Sequence, residues 1–118
     1  MHEQTDLNTV ELMGTIAREP VLMLIPPGAT CYVVFQIKVR CEWPDFTGTA
    51  VLLDVEHECF AQGEAAEAMI WASAEDRVWL VGALDLIVDD YEPVTHAPTY
   101  RQGVRIHRMT LLQKENAR

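Results

Sequence analysis

The sequence contains few basic residues: nine lysines and arginines stand against 18 aspartates and glutamates, for a formal net charge of −9. Nucleic-acid-binding proteins usually have a basic footprint, so this composition argues against a broad one. The charge is also uneven along the chain. Residues 54–92 contain eleven acids and one base, Arg77, whereas residues 93–118 contain five bases and one acid, Glu115. The basic final segment could therefore contact phosphate even on an acidic protein.

Long hydrophobic runs and paired cysteines are also absent. Charged residues interrupt every apolar stretch well before 18 residues, which excludes a membrane span and a membrane partner. The first six residues lack the basic start and apolar region of a secretory signal, so we expect a cytoplasmic protein. Three cysteines without C-x-x-C spacing indicate neither a disulfide framework nor a zinc knuckle. We interpret Cys31, Cys41 and Cys59 as small buried hydrophobes.

The 118 residues are enough for one domain, with a core over about residues 8–112 and short frayed termini. Alternating or short apolar runs predict strands at 9–16, 21–25, 32–43, 49–60, 77–88 and 104–112. One alanine-rich segment, 63–72, predicts a helix with Ala65, Met69 and Ala72 on one stripe, and 89–103 is predicted to be a polar hairpin loop. This order predicts an all-β, five-stranded OB-fold barrel with one helix between strands three and four.

Two of the predicted strands have clear faces. In the second barrel strand Val33, Phe35, Ile37, Val39 and Cys41 share the core face, and Val34, Gln36, Lys38, Arg40 and Glu42 share the other. In the third, Val51, Leu53, Val55, His57 and Cys59 lie opposite Leu52, Asp54, Glu56, Glu58 and Phe60. For the second barrel strand we therefore expect one face to be core and the other to be wet.

The landmarks resemble those of the bacterial single-stranded-DNA-binding protein family, including its primosomal replication protein branch. The matching stretches are Asn8–Ile16 with Glu19-Pro20, Gly28 to Phe35, Trp43 after the second strand, Phe60 before the helix, and Val78–Leu84 around Gly82. The resemblance implies single-stranded DNA binding in replication, recombination or mobile-element transfer. It also implies a homodimer or homotetramer joined through first strands at Val10, Leu12 and Met13, with replication or recombination proteins as further candidate partners.

Flat aromatic rings and spaced cations are what sequence-tolerant single-strand binding needs, because bases stack and phosphates carry charge. Trp43, Phe60 and Tyr91 are predicted to stack on bases. Lys38, Arg40 and Arg105 are predicted to contact phosphate. The alternatives are that Trp43 packs under a loop, that Phe60 lies in the core, and that the cations are ordinary solvated charges.

Departures from the family pattern favour a second hypothesis. Asp85, Asp89 and Asp90 follow the fourth-strand glycine where the family has basic residues, and Asp54 stands where it has an aromatic. These acids would repel phosphate. The alternative is therefore an OB-fold oligomeric adaptor or protein-interaction module that has lost its DNA affinity.

Catalysis and metal binding are not indicated. In His57-Glu58-Cys59 adjacent strand residues point to opposite faces, and no second cysteine pair follows. The acid pairs Asp89-Asp90 and Glu56 with Glu58 could in principle hold a metal ion or transfer protons. No nucleophile and base lie at a recognisable spacing, so we expect a protein that is not an enzyme and has no cofactor.

Overall fold

The computed structural model describes residues 6–25 and 30–114, which form strands and one short helix. The elements are β1 (Val10–Ile16), β2 (Val21–Ile25), β3 (Thr30–Pro44), β4 (Ala50–Gln62), α1 (Glu64–Glu67), β5 (Arg77–Tyr91) and β6 (Pro98–Gln113). Gly28, part of the family resemblance, lies outside the described residues. Within the described part, no helix is long and apolar enough to cross a membrane.

Five strands close into a barrel in the order β1-β5-β6-β4-β3, with β3 returning to β1. The closing contact is short: Thr15 and Ile16 of β1 pair with Lys38 and Ile37 of β3. A two-residue parallel pairing joins β4 to β6, and β2 pairs along the first part of β3. The helix follows β4, the third strand of the barrel in chain order. The predicted OB-fold barrel, with its helix between barrel strands three and four, is therefore confirmed.

The core follows the predicted alternation in β3, whereas in β4 it includes Cys59 but not Val51, Leu53 or Val55, which are exposed. Val33, Phe35 and Ile37 of β3 are buried, and Cys59 of β4 is fully buried with them. The residues that complete this cluster come from every barrel strand and from the segment after β4: Ile16, Ala61, Ala66, Met69, Ala72, Val78, Leu80, Val104 and Ile106. The expectation of buried cysteines holds for Cys59, while Cys31 and Cys41 are half-buried. One apolar interior thus fills the barrel and is covered at one end by the helical segment.

Two glycines allow backbones to approach closely where the barrel bends. A Cβ on Gly14 would collide with the carbonyl oxygen of Lys38, at the point where β1 changes partner from β5 to β3. A Cβ on Gly82 would collide with the carbonyl oxygen of Arg105, beside an irregularity in the β5–β6 register. Only glycine fits such contacts without moving a strand. These are the glycines of the first-strand and fourth-strand motifs.

The asparagine of the first motif also has a structural role. The Asn8 side-chain amide donates to the Leu84 carbonyl oxygen at 2.9 Å and accepts from the Leu84 N–H at 2.9 Å. The side chain therefore copies one backbone pair of a strand ladder and extends the β1–β5 pairing towards the N-terminus.

The helix is shorter than predicted. Instead of 63–72, only Glu64–Glu67 is helical, and turns follow through Trp71. No side chain caps its first residues, and the Met69 and Ile70 amides donate three residues back, to Ala66 and Glu67. Ala66, Met69 and Ala72 are buried at the end of the barrel. Their burial fixes this tighter path and overrides the helix propensity of alanine.

The predicted loop at 89–103 is mostly strand. β5 continues to Tyr91 and β6 begins at Pro98, so the connecting loop contains only residues 92–97. Pairing continues through Asp90 with Thr99 and Tyr91 with Pro98. This end of the hairpin is exposed on both faces, so its strands need no alternation of apolar and polar residues. The prediction of a loop from the polarity of this segment was therefore wrong.

Both long hairpins extend beyond the barrel. In β4 every residue from Ala50 to Glu56 is exposed, although the same strand is buried near its end. The radius of gyration is 16.8 Å, whereas a compact chain of this length would have about 13–14 Å. We call residues 40–54, the distal part of the β3–β4 hairpin, the first arm, and residues 88–102, the distal part of the β5–β6 hairpin, the second arm.

Candidate nucleic-acid-binding surface

Phe60 lies on the outside of the barrel, not in its central core. Its neighbours Cys59 and Ala61 belong to the core cluster, and the alternation of β4 directs Phe60 to the opposite face. Its ring stacks on that of Tyr32 from β3, with centroids 5.7 Å apart and planes at 27°. Phe60 is only 5% exposed, so a base could stack on this ring only if the protein groups that bury the ring moved away. Desolvation by burial is the first cause that raises the pKa of Tyr32, followed by the charge of Glu58.

Arg101 joins three strands on the same outer side of the barrel. Its Nε donates to Glu58 Oε2 at 2.9 Å, a second guanidinium nitrogen donates to Glu58 Oε1, and Nη1 donates to Asp89 Oδ1 at 2.8 Å. The hydrogen bond with Glu58 is the main cause that raises the pKa of Arg101. The guanidinium thus fixes β6 against β4 and β5, and its charge is offset by two carboxylates.

Two of the three cations predicted to contact phosphate also have carboxylate partners. Arg40 Nε lies 2.9 Å from Asp54 Oδ1, and Arg105 Nη1 lies 3.1 Å from Asp85 Oδ2. The hydrogen bond between Arg40 and Asp54 lowers the pKa of Asp54 and raises the pKa of Arg40. Both pairs are largely exposed, and exposed ion pairs contribute little to stability. A phosphate group could therefore replace either carboxylate at low cost.

Lys38 lies on the same face of β3 as Arg40, and Glu56 of β4 is its register partner. No ion pair within 4.0 Å involves Lys38 among residues 6–25 and 30–114. Lys38 and Arg40 therefore form a short basic row on the outer face of β3.

Trp43 lies near the tip of the first arm and is 55% exposed. Its register partner is Val51, and the adjacent inward-facing pair is Cys41 with Leu53. Trp43 thus follows the inward alternation of β3, but at a point where no barrel lies beneath it. The ring is accessible without any turn of the loop, and it faces away from Lys38 and Arg40.

Tyr91 ends β5 near the tip of the second arm and is 59% exposed. Its register partner is Pro98. The predicted site residues thus fall into separate places: Phe60 beside its register partner Arg105, Lys38 with Arg40 on β3, and one exposed ring on each arm. The sequence analysis did not single out Tyr32 or Arg101 for this surface. Tyr32 lies on the same outward-facing side of β3 as Lys38. The register of Arg101 could not be predicted, because residues 89–103 were predicted to be a loop.

The predicted oligomer residues lie on a partly unpaired strand. β1 pairs with β5 from Val10 to Thr15, but within the described chain its other edge pairs with β3 only at Thr15 and Ile16. Val10 and Leu12 are half-buried against the core, whereas Met13 is 55% exposed. An open groove of about 490 Å³ lies on the face formed by β1, β5 and β6 and is lined by Glu11, Met13, Trp79 and Leu112.

Metal-binding geometry is not found on the described surface. Within residues 6–25 and 30–114, no three histidine, cysteine, aspartate or glutamate side chains are close enough to hold a metal ion.

Comparison with solved structures identifies similar folds. A deletion mutant of the Thermus aquaticus single-stranded DNA binding protein superposes with a TM-score of 0.76 at 18% identity over 92% of this chain. The wild-type Thermus protein gives 0.73 at 18% identity, also over 92%. The chain spans about half of those structures' length, 52% in each case. A Plasmodium falciparum SSB, solved in complex with ssDNA, gives 0.74 at 16% identity over 97% of this chain and 100% of its own.

Sequence comparison adds no family assignment. No protein-family model matches this chain, and no curated protein matches it. At 16–18% identity the structural likeness shows the OB fold.

Proposed function

We propose that this protein binds single-stranded DNA, in replication, recombination or mobile-element transfer, without catalysing a reaction. The observation that carries the proposal is a set of cations on the outside of the barrel together with exposed aromatic rings on its two arms. Lys38, Arg40, Arg101 and Arg105 are spread over adjacent strands, and Trp43 and Tyr91 expose rings on the two arms. Cations follow a nucleic-acid backbone and exposed rings accept bases of any sequence. The likeness in fold to a protein solved with ssDNA supports the same function.

Titration of labelled oligo-dT at low and moderate salt tests this proposal. We expect measurable binding at low salt that weakens slowly as salt is added, because carboxylates already neutralise Arg40, Arg101 and Arg105. An oligonucleotide duplex of matched sequence is the control, since stacking needs unpaired bases. Absence of binding at low salt would contradict the proposal.

The second candidate function is an OB-fold adaptor that binds protein partners, such as replication or recombination proteins, and not DNA. The ion pairs of Arg40 with Asp54 and of Arg105 with Asp85 favour it, because each arginine is already neutralised by a carboxylate and does not need a phosphate group as its partner. The oligo-dT titration separates the two candidates.

We further propose that the protein is a homodimer or homotetramer. An antiparallel pairing of two β1 strands along Val10–Met13 would satisfy an otherwise open row of backbone donors and acceptors. Met13 and Trp79 line the groove on the face of β1 and β5, so a second copy could cover them. Light scattering should give at least twice the 13.4 kDa of the chain. A monomer mass would refute this proposal.

A further inference from the structure

One row of side chains runs across five neighbouring strands of the barrel. Thr15 is the only β1 residue in the described chain that pairs with a strand on each side: its register partners are Lys38 of β3 and Arg77 of β5. The row continues to Glu56 of β4 beyond Lys38 and to Gln113 of β6 beyond Arg77. Register partners in a sheet point to the same face, and the neighbours of Thr15 in β1, Gly14 and Ile16, are buried. The row therefore lies on the outside of the barrel.

The centre of this row is concave. A cleft of about 230 Å³ is lined by Thr15, Lys38, Arg40, Asp54, Glu75 and Arg77. A second depression, lined by Thr15, Glu75, Arg77 and Gln113, continues it along the row. The cleft is polar and open to solvent, unlike the apolar groove at Met13 and Trp79.

The charges of the cleft favour an anion. The lining itself holds three cations and two carboxylates, one positive charge in excess on a protein of net charge −9, and Glu56, the register partner of Lys38, lies next to this lining. Asp54 is occupied by two hydrogen bonds from Arg40, at 2.9 and 3.4 Å. Within the described chain no ion pair closer than 4.0 Å involves Lys38 or Arg77, so both cations can turn to a ligand.

The spacing of the donors suits a phosphate group. Lys38 and Arg77 stand on strands on either side of Thr15, so their Cα atoms are roughly 10 Å apart, twice the strand spacing. Long side chains from both strands can meet over the Thr15 hydroxyl. A lysine ammonium, a guanidinium fork and a hydroxyl donor together offer the hydrogen bonds that a tetrahedral oxyanion accepts.

We infer that Lys38, Thr15 and Arg77 form a phosphate-binding site that holds a phosphodiester of a single-stranded nucleic acid at this end of the barrel. Arg77 is the single base among the acids of residues 54–92. The inference deepens the proposed function and rests on it for the identity of the ligand. It adds a contact outside the set Lys38, Arg40 and Arg105, and extends the path of the strand from β3 across β1 to β5.

The test uses Arg77→Gln, Glu75→Gln and the control Arg108→Gln in the 118-residue chain. Arg108 is also exposed but lies over the ring of Trp79 at 5.7 Å and does not line the cleft. For Arg77→Gln we expect the affinity for oligo-dT at low salt to fall at least about tenfold, the scale of a lost hydrogen bond to a charged group. The log–log salt slope should decrease by about 0.7, one phosphate contact on a single strand.

The other two variants show whether the effect is local. Glu75→Gln should bind oligo-dT more tightly than the wild type, because it removes a carboxylate from the cleft. Arg108→Gln, with the same loss of charge as Arg77→Gln, should stay within about twofold of the wild type. Equal losses in Arg77→Gln and Arg108→Gln, or no loss in Arg77→Gln, would overturn the inference and leave the proposed function standing.

An NMR titration with inorganic pyrophosphate tests the site without DNA. The amides of Thr15, Lys38 and Arg77 should shift in the wild type and stay fixed in Arg77→Gln. Should the wild type bind no oligo-dT, the proposed function fails, and this titration alone decides whether the phosphate site exists. Absence of shifts at these amides would overturn the site. Oligo-dT with and without a 5′-phosphate identifies the source: equal Arg77→Gln losses assign a backbone phosphodiester, and a loss confined to the phosphorylated oligomer overturns that assignment in favour of a terminal phosphate.

Discussion

For Trp43, the alternation of β3 predicts a buried side chain, whereas the position of the residue on the first arm leaves it exposed. Its side chain is on the core-facing side of β3, yet the residue is 55% exposed because the first arm extends beyond the barrel. Trp43→Ala should therefore leave the thermal melting temperature nearly unchanged. A buried tryptophan replaced by alanine would instead lower stability by about 3–5 kcal/mol.

The same variant tests stacking. If Trp43 receives a base, Trp43→Ala should weaken oligo-dT binding by about 1–3 kcal/mol in titration. Phe46→Ala is the matched control, since Phe46 is fully exposed in the turn of the same arm. A Trp43→Ala protein of unchanged melting temperature and unchanged DNA affinity would contradict the proposed role of the ring.

Asp76 is the only charged residue that the described chain buries, at 1% exposed. Its carboxylate accepts from the Ser73 N–H at 2.9 Å and from Lys114 Nζ at 3.1 Å. Asp76→Ala should lower the free energy of unfolding by about 1–3 kcal/mol in urea melts, because it leaves a part-buried N–H without its acceptor. The exposed Glu67→Ala is the control, and equal stability of the two variants would argue against this role.

Cys59 should be chemically inert in the folded protein. Burial raises the pKa of its thiol from the ordinary 9.0 to about 12. A neutral, inaccessible thiol does not alkylate. Iodoacetamide followed by mass spectrometry should therefore modify Cys59 only after denaturation, while the half-buried Cys31 and Cys41 react earlier. Native-state labelling of Cys59 at the rate of Cys41 would contradict the buried position.

The Cys59 thiol also makes the free energy of unfolding depend on pH. Because the folded-state pKa of Cys59 is higher, the folded protein binds more protons than the unfolded chain between about pH 9 and 12. This group therefore makes stability decrease as pH rises through that window, and it has no effect below it.

Among the elements, β1 has one edge that is mostly unpaired. Its backbone pairs with β5 from Val10 to Thr15, but between Val10 and Met13 its other edge has no strand partner in the described part of the chain. A proline at Met13 cannot donate a ladder hydrogen bond. Met13→Pro should therefore shift the light-scattering mass towards the monomer or unfold the protein.

The control for β1 keeps the backbone intact. Met13→Gln removes apolar surface from the groove without removing an N–H, so it separates loss of side-chain packing from loss of strand pairing. An oligomer that survives Met13→Pro with unchanged mass would exclude β1 pairing as its basis.

For the whole molecule, we expect the balance of charges to govern how the proposed affinity for single-stranded DNA responds to salt. Three contacts, by Lys38, Arg40 and Arg105, would give a log–log slope of about −2, and the site at Arg77 would add about −0.7. A measured slope of −5 or steeper would contradict a surface so poor in available charge.

Releasing the cations should change this response. In Asp54→Asn combined with Asp85→Asn, Arg40 and Arg105 lose their carboxylate partners and face solvent. We expect tighter oligo-dT binding at low salt and a steeper salt slope in fluorescence titrations. Asp90→Asn combined with Glu92→Gln makes the same change of charge in the second arm and controls for net charge. Equal gains in both double variants would show that overall charge, and not these ion pairs, limits binding.

The sequence by itself determined the barrel and its interior. Alternation in β3 identified Val33, Phe35 and Ile37 as core. This feature is local, because the period of a strand is visible in consecutive residues. The same local reasoning missed the length of the helix and the strands at 89–91 and 98–103, where packing and cross-strand pairing overrule propensity.

The candidate DNA-binding surface was decided only by the tertiary structure. Pairing of Arg40 with Asp54 and of Arg101 with Glu58, and the row from Lys38 through Thr15 to Arg77, all join residues from different strands. Their meeting depends on register, and a shift of one residue would turn each side chain to the other face. A single sequence shows which cations exist, whereas barrel closure decides which carboxylate or ligand each one meets.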